Sequence, residues 1–127
     1  MEKGTHTGTK RLIAAFHNSI AGFKDVWRRE EAFRQEFVMF VLSVPIAVWL
    51  GQSLAHTGLL IGSILLLIIV EIVNSALEAI VDRIGPERHE LSRIAKDLGS
   101  LAVLTTALFP ITVWGISILM ALGLIST

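Results

Sequence analysis

Residues 59–82 read LLIGSILLLIIVEIVNSALEAIVD and begin as an apolar run typical of a membrane-spanning helix. From position 71 onward the run carries polar residues without any helix breaker. At about 100° per residue these polar positions share one face of a helix; they are Glu71, Asn74, Ser75, Glu78 and Asp82. A carboxylate near the middle of a bilayer costs about 3 kcal/mol. Two such carboxylates need a cation, a metal or shared protons, so this face is a candidate functional site.

The composition indicates an all-α membrane protein with a single domain over residues 1–127. Apolar residues make up 53% of the chain and charged residues 17%, far from the usual proportions of a soluble domain. The apolar residues form three blocks at about 34–54, 59–82 and 98–125, each close to the length that crosses a bilayer. The sequence therefore predicts three transmembrane helices. It contains no cysteine, which excludes disulfides, thiolate metal sites and cysteine nucleophiles.

The net charge is zero, but the basic residues are unevenly distributed. They precede the first block or lie between the second and third blocks: Lys3, Lys10, Arg11, Lys24, Arg28, Arg29 and Arg34, then Arg83, Arg88, Arg93 and Lys96. The connection at 51–58 and the C-terminal tail have none. The positive-inside rule predicts a cytoplasmic N-terminus, a cytoplasmic 83–97 loop and a C-terminus on the far side.

The segments outside the spans have their own signals. Apolar residues recur every three or four positions over about 10–29, which predicts an amphipathic helix on the cytoplasmic membrane surface, or alternatively a soluble helix packed on a partner. Gly85-Pro86 should end the second span, residues 87–94 should form a short polar connection, and Ala95-Lys96-Asp97 should open the third span. The small residues Gly99, Ala102 and Thr106 would let another helix approach closely.

The acidic face suggests phosphoryl-transfer chemistry. Counted from Arg83 at about 1.5 Å per residue, Glu78 lies roughly 7 Å below the cytoplasmic boundary and Glu71 roughly 18 Å below it. Glu78 could hold Mg²⁺ together with a second carboxylate, for which Glu30, Glu36 and Asp97 are available. The hydroxyl of a membrane lipid could reach Glu71, and burial favours a carboxyl group as general base near neutral pH. The alternative is that Glu71 and Glu78 only pair with Arg or Lys to hold helices together.

Lys96 and Asp97 form a second candidate at the mouth of the third span. The lysine can neutralise transferring phosphate oxygens, and the aspartate can hold a metal or orient the lysine. A lone Lys-Asp pair at a helix entrance is usually only solvated, but it gains weight opposite an acidic stripe. The chain has no phosphate-binding loop, no soluble-kinase catalytic loop and no histidine cluster, and nothing in it supports nucleic-acid binding.

Four segments together resemble the small integral-membrane diacylglycerol kinase family of bacteria. They are Glu30-x-Ala-Phe-Arg-Gln-Glu36, Val70-Glu-Ile-x-Asn-Ser-Ala-x-Glu78-Ala-x-Val-Asp-Arg-Ile-Gly85, His89-Glu-Leu-Ser92 and Ala95-Lys-Asp-x-Gly-Ser100. The resemblance covers nearly the whole chain from about residue 10. It implies an inner-membrane homotrimer, with active sites between subunits, that transfers the γ-phosphate of ATP to diacylglycerol with Mg²⁺ and yields phosphatidic acid and ADP.

The resemblance also implies roles for individual residues. Glu71 would be the base, Glu30 and Glu78 the metal ligands, and Asn74, Lys96 and Asp97 further essential groups. Glu78, Lys96 and Asp97 would also contact the nucleotide, in a region lined by Ser19, Gly22, Arg34, Gln35 and Glu36. The chain departs from the family at Arg93-Ile94, where a small residue followed by a basic one is expected, and at Ile20-Ala21, where an aromatic-lysine pair is typical.

Three other functions compete with this interpretation. Relatives of the family phosphorylate undecaprenol, which needs the same chemistry. A small proton-coupled exporter could use Glu71 as its ionisable residue, but it would leave Glu78, Lys96 and Asp97 without a role. A catalytically inactive assembly subunit is the last possibility, although every matched position carries a competent residue.

Overall fold

The computed structural model describes residues 7–87 and 89–126, and all regular secondary structure in these residues is helical. The helices in chain order are α1 (Thr9–Arg29), α2 (Glu31–Leu50), α3 (Leu54–Ile84) and α4 (Glu90–Ala121). This confirms the all-α fold class. The helices α2, α3 and α4 are each long and apolar enough to cross a membrane. The chain is therefore a multi-pass membrane protein.

The helix α1 is amphipathic and packs on the beginning of α2 through aromatic rings. Val26 is buried near its end, whereas Leu12 and Phe16 are exposed. The rings of Phe23 and Trp27 stack with centroids 5.8 Å apart, and Phe33 of α2 meets Phe23 edge to face at 5.7 Å. Burial of such rings, together with their preferred geometry, fixes the angle between α1 and α2.

The helix α3 is central and packs against both α2 and α4. Leu60, Ile64, Leu67 and Ile68 are buried at helical spacing, so one apolar stripe of α3 faces its neighbours. The indole Nε1 of Trp114 on α4 donates a hydrogen bond to the carbonyl oxygen of Leu60 at 3.0 Å. Because the same stripe continues into the acidic stretch, the packing that buries these residues also turns the acidic face inward.

Helix limits differ from the sequence prediction mainly around the last connection. The polar connection was predicted over 87–94, but α4 begins at Glu90, so that connection is shorter. His89 caps the helix, since its Nδ1 accepts a hydrogen bond from the backbone N–H of Leu91 at 3.1 Å. Lys96 and Asp97 consequently lie inside α4 and not at its entrance. Lys3 and Arg88, two of the basic residues that predict the orientation in the membrane, fall outside the described residues.

The other limits shift by smaller amounts. The helix α2 ends at Leu50 where 54 was expected, because Gly51 is extended and Ser53 already caps α3 by accepting from the backbone N–H of His56 at 3.1 Å. The helix α3 extends beyond the predicted 59–82 at both ends, and α4 ends at Ala121, four residues short of the predicted 125. The amphipathic segment predicted over about 10–29 corresponds to α1.

Candidate active site

The polar face of α3 becomes more exposed toward the end of the helix. Glu71 is buried, with only 6% of its surface exposed. Asn74, Ser75 and Glu78 are half-buried, and Asp82 is exposed. The spacing seen in the sequence therefore does place one polar stripe against the neighbouring helices. The stripe leads from the membrane interior, at Glu71, to an open end at Asp82.

Four carboxyl groups from three parts of the chain interact along this stripe. Glu30 lies at the junction of α1 and α2, and its side chain is close enough to that of Glu78 for the two carboxyl groups to interact. Glu71 interacts electrostatically with Glu30, Glu78 and Glu36, the last of which lies on α2. As carboxylates these groups would repel one another, so the arrangement calls for a cation, a metal ion or shared protons.

No lysine or arginine among the described residues forms an ion pair with any of these four carboxyl groups. The ion pairs of the described chain join Arg93 with Glu90, Arg93 with Asp97, and Lys96 with Asp82. Lys96 contributes only a longer-range attraction to Glu78. The alternative that Glu71 and Glu78 hold helices together through salt bridges is therefore wrong for this part of the chain.

The acidic cluster fits a metal ion held partly by other oxygens. Within the described residues no three His, Asp or Glu side chains converge closely enough to hold an ion by themselves. The side chains of Glu30 and Glu78 are close enough to interact. Mg²⁺ usually binds through one or two carboxylates together with substrate phosphates and water. The geometry thus suits Mg²⁺ delivered with a phosphate compound better than a permanent, fully protein-bound ion.

Asn74 lies between Glu71 and Glu78 on the polar stripe and contacts Glu78. Its amide Nδ2 donates a hydrogen bond to Oε1 of Glu78 at 3.2 Å. Its Oδ1 is buried without a hydrogen-bond partner, as are Oγ of Ser75 and Oε2 of Glu36. Buried polar atoms in native proteins are nearly always paired. Three buried polar atoms without partners are expected in a site where a substrate, a water molecule or an ion supplies the missing hydrogen bonds.

A polar cavity of about 320 Å³ lies beside the open end of the stripe, between α3 and α4. Its charged walls include Asp82, Arg93, Lys96 and Asp97. The Nζ of Lys96 lies 2.8 Å from Oδ1 of Asp82, and Nη1 of Arg93 lies 2.7 Å from Oδ2 of Asp97. These four side chains are largely exposed. They can exchange partners with an incoming anion at little cost, because exposed ion pairs are weak.

Four other residues that were predicted to line the site are exposed or make contacts outside the acidic stripe. Ser19 and Gly22 are exposed on α1, where the hydroxyl of Ser19 donates back to the carbonyl of Ala15 at 2.9 Å. Nη1 of Arg34 donates to the backbone carbonyl of Trp27 at 2.6 Å, so Arg34 stabilises the end of α1. Gln35 borders an apolar groove of about 740 Å³ between α2, α3 and α4. Their roles in nucleotide binding stay predictions.

Three residues at the site had no catalytic or ligand-binding role in the sequence-based prediction, although Gly99 was expected to let another helix approach closely. Asp82 pairs with Lys96, Arg93 holds Asp97, and Gly99 of α4 lies against the amide of Asn74. Asp82 was recognisable as the last member of the polar stripe. The pair of Arg93 with Asp97 follows from their four-residue spacing within α4, whereas the contact of Gly99 with Asn74 depends on how α3 and α4 face each other.

Comparison with known proteins shows which family the chain resembles. A family profile described as prokaryotic diacylglycerol kinase matches residues 17–118. The chain belongs to this family. It is 50% identical to the diacylglycerol kinase of Escherichia coli over 108 residues, which cover 85% of this chain and 88% of that protein. The diacylglycerol kinase of Pseudomonas aeruginosa is 46% identical over 114 residues, covering 90% of this chain and 92% of the relative.

A third relative is the diacylglycerol kinase of Haemophilus influenzae, 41% identical over 109 residues that cover 86% of this chain and 92% of the relative. The matched region includes the polar stripe of α3 and both cationic residues of the cavity. Membership of the prokaryotic diacylglycerol kinase family identifies the chain as a bacterial membrane enzyme of the lipid kinase class. The exporter and the inactive subunit considered above are set aside by this assignment.

Proposed function

We propose that the chain transfers the γ-phosphate of ATP to the free hydroxyl of diacylglycerol, giving phosphatidic acid and ADP. The observation that carries this proposal is the position of Glu71, buried on the same helix face as the Asn74–Glu78 hydrogen bond and next to three further carboxyl groups. The relatives at 41–50% identity are diacylglycerol kinases, which favours this alcohol over undecaprenol.

The reaction needs one bond to form and one to break. The lipid hydroxyl oxygen bonds to the γ-phosphorus, while the bond between that phosphorus and the β,γ-bridging oxygen breaks and ADP leaves. The hydroxyl proton passes to a carboxylate, for which Glu71 is the candidate because it lies deepest in the apolar region and forms no hydrogen bond or ion pair with the described residues. Positioning of this kind supplies most of the acceleration in phosphoryl transfer.

The charged ends of the reactants fit the open part of the stripe. Glu30 and Glu78 would hold Mg²⁺, whose chemistry here is to neutralise charge on the transferring phosphate. Lys96 lies near Glu78 and in the polar cavity, so it can contact phosphate oxygens by exchanging its ion pair with Asp82. Asp97 and Arg93 border the same cavity. The nucleotide would therefore enter at the cavity and the lipid from the bilayer.

The proposal includes the assembly and orientation of the protein. Ser19, Gly22 and Gln35 are exposed, so they are accessible to a neighbouring subunit in the proposed homotrimer, in which neighbouring subunits complete each site. The distribution of basic residues supports an inner-membrane protein with a cytoplasmic N-terminus and a cytoplasmic cavity, on the side where ATP is available.

Phosphate transfer from γ-labelled ATP in mixed micelles with Mg²⁺ tests the reaction, with diacylglycerol and undecaprenol offered separately. We expect label in diacylglycerol, its loss when Mg²⁺ is chelated, and its loss in Glu71→Gln and Glu78→Gln. Glu31→Gln is the matched control, because Glu31 is an exposed neighbour of Glu30. Label moving only to undecaprenol would keep the mechanism and change the substrate. Transfer to neither lipid would refute the proposal.

A further inference from the structure

Gly99 of α4 lies in unusually close contact with the amide of Asn74 on α3. A Cβ atom placed on Gly99 would lie 2.0 Å from Oδ1 of Asn74 and 3.1 Å from its Cγ. Carbon and oxygen atoms that are not bonded do not approach to 2.0 Å, so any side chain at this position would collide with the amide. Exchange of the oxygen and nitrogen of the amide does not remove the collision, since either atom would occupy the same place.

The other glycines of α3 and α4 show no such requirement. A Cβ atom on Gly62 of α3 or Gly115 of α4 would meet nothing within 4 Å. Glycine weakens a helix interior relative to alanine. Close packing therefore accounts for the glycine at position 99 but not for those at 62 and 115. At position 99 the nearest neighbour is a polar side chain of the candidate active site, not an apolar side chain or the backbone of α3.

We infer that Gly99 is a positioning residue of the active site: its missing side chain lets the Asn74 amide lie against α4, which holds Nδ2 on Oε1 of Glu78. Two observations support this role. The Asn74 oxygen that faces Gly99 is buried and has no hydrogen-bond partner that would fix it from the other side. The Asn74 nitrogen has one bond, the 3.2 Å bond to Glu78. Packing against Gly99 is thus one constraint on the position of this side chain.

The expected consequence of a methyl group at position 99 is a local one. The atoms it meets closely belong to the end of a side chain, which can rotate away, so the helices need not separate. Rotation of the amide breaks the bond to Glu78, so Glu78, one of the two proposed metal ligands, loses a partner that holds its carboxyl group. Because residues that orient metal ligands affect affinity by about 10-fold or more, Gly99→Ala should weaken the use of Mg²⁺ without unfolding the protein.

The side-chain amide signals of asparagine test the contact without any assay of activity. The sequence has two asparagines, Asn18 and Asn74, so selective ¹⁵N-asparagine labelling of the full chain in detergent micelles gives two amide side-chain signals, which Asn74→Ala assigns. We expect Gly99→Ala to shift the Asn74 signal and leave that of Asn18 in place. Gly115→Ala, the same change on the same helix, should move neither. An unmoved Asn74 signal in Gly99→Ala would overturn the inference.

A double-mutant cycle tests the consequence for the reaction, and this part rests on the proposed function. Asn74→Ala should lower kcat by about 100-fold, and Gly99→Ala by roughly 10-fold to 100-fold, with a higher Mg²⁺ concentration for half-maximal rate in both. The double variant should match Asn74→Ala alone, because the methyl group then displaces nothing. Losses that multiply would show a separate structural effect and overturn the inference. A wild-type protein that phosphorylates no lipid would refute the proposed function and leave the spectroscopic result to stand.

Discussion

Lys96 on α4 and Asp82 on α3 form an ion pair of 2.8 Å across the mouth of the polar cavity, fourteen residues apart in the chain. Both side chains are about half exposed, with 47% and 56% of their surfaces accessible. Such a pair stabilises the fold little and can open readily. Because the pair lies at the end of the acidic stripe, we expect Lys96 to leave Asp82 when a phosphate group binds. We do not expect the pair to hold α3 and α4 together.

The first prediction follows from this weak pairing. Lys96→Met should lower the kinase rate by at least about 100-fold, because a cation that neutralises transferring phosphate oxygens is lost. Asp82→Asn keeps the lysine and should lower the rate by no more than about 3-fold, because it removes only an exposed pair. Initial rates with diacylglycerol and Mg²⁺ measure both. Equal losses in the two variants would mean that the ion pair itself is required.

A second prediction concerns Arg93, at one of the two places where the chain departs from the expected family pattern. Its guanidinium bonds both Glu90 and Asp97 and borders the polar cavity. A cation there attracts nucleotide phosphates, so Arg93→Ala should raise the KM for ATP by roughly 5-fold to 10-fold with a smaller effect on kcat. Rates at varied ATP concentration measure this. Arg83→Ala, an exposed arginine at the end of α3, is the control and should leave KM unchanged.

The polar stripe of α3 is a feature of the site that the sequence alone predicts. Spacing alone places Glu71, Asn74 and Glu78 on one face of a continuous apolar helix, and the structure puts that face against α2 and α4. The bond between Asn74 and Glu78 follows from the same four-residue spacing. The three spans follow equally well, because membrane crossing depends on length and apolarity only.

The contacts between helices could not be predicted in this way. The pairing of Lys96 with Asp82 and the contact of Gly99 with Asn74 depend on the rotation and register of α4 relative to α3. The spacing of apolar and polar residues predicts which face of each helix is buried, but it does not predict the register of one helix against another. The early start of α4 was missed for another reason: its cap is His89, and histidine is not among the residues that usually mark a helix N-terminus.

A third prediction tests the short connection between α2 and α3. A Cβ atom on Gly51 would lie 1.9 Å from Oγ1 of Thr57 and 2.9 Å from the backbone oxygen of Ala47. Since backbone atoms are involved, this collision cannot be relieved by rotating one side chain. Gly51→Ala should destabilise the protein by about 1–3 kcal/mol, as measured by unfolding in detergent. Adding Thr57→Ala should recover part of the loss.

Gly58→Ala is the matched control for that experiment. A Cβ atom at position 58 meets nothing within 4 Å, and position 58 lies inside the first turns of α3. Alanine is the better helix former, so this variant should be at least as stable as the wild type. If Gly51→Ala unfolds no more easily than Gly58→Ala, the connection is looser than the contacts indicate.

The fourth prediction concerns the end of the bundle opposite the polar cavity, where His56 of α3 meets Ser117 of α4. The Nδ1 of His56 accepts a hydrogen bond from the backbone N–H of Gln52 at 3.0 Å. The ring proton of the neutral imidazole must then be on Nε2, which lies 2.8 Å from the hydroxyl oxygen of Ser117. The Ser117 hydroxyl in turn donates to the carbonyl of Val113 at 2.7 Å. The imidazole thus joins the α2–α3 connection to α4.

Ser117→Ala removes the acceptor and leaves the Nε2 hydrogen of a half-buried ring without a partner, so it should destabilise the protein by about 1 kcal/mol. His56→Ala in the Ser117→Ala background should cost less than in the wild type, because the bond between them is already lost. Unfolding of the four proteins in detergent measures this coupling. Kinase rates should stay close to the wild-type value, since the pair lies at the other end of α3 from Glu78. Strictly additive losses of stability would show that the two side chains do not interact.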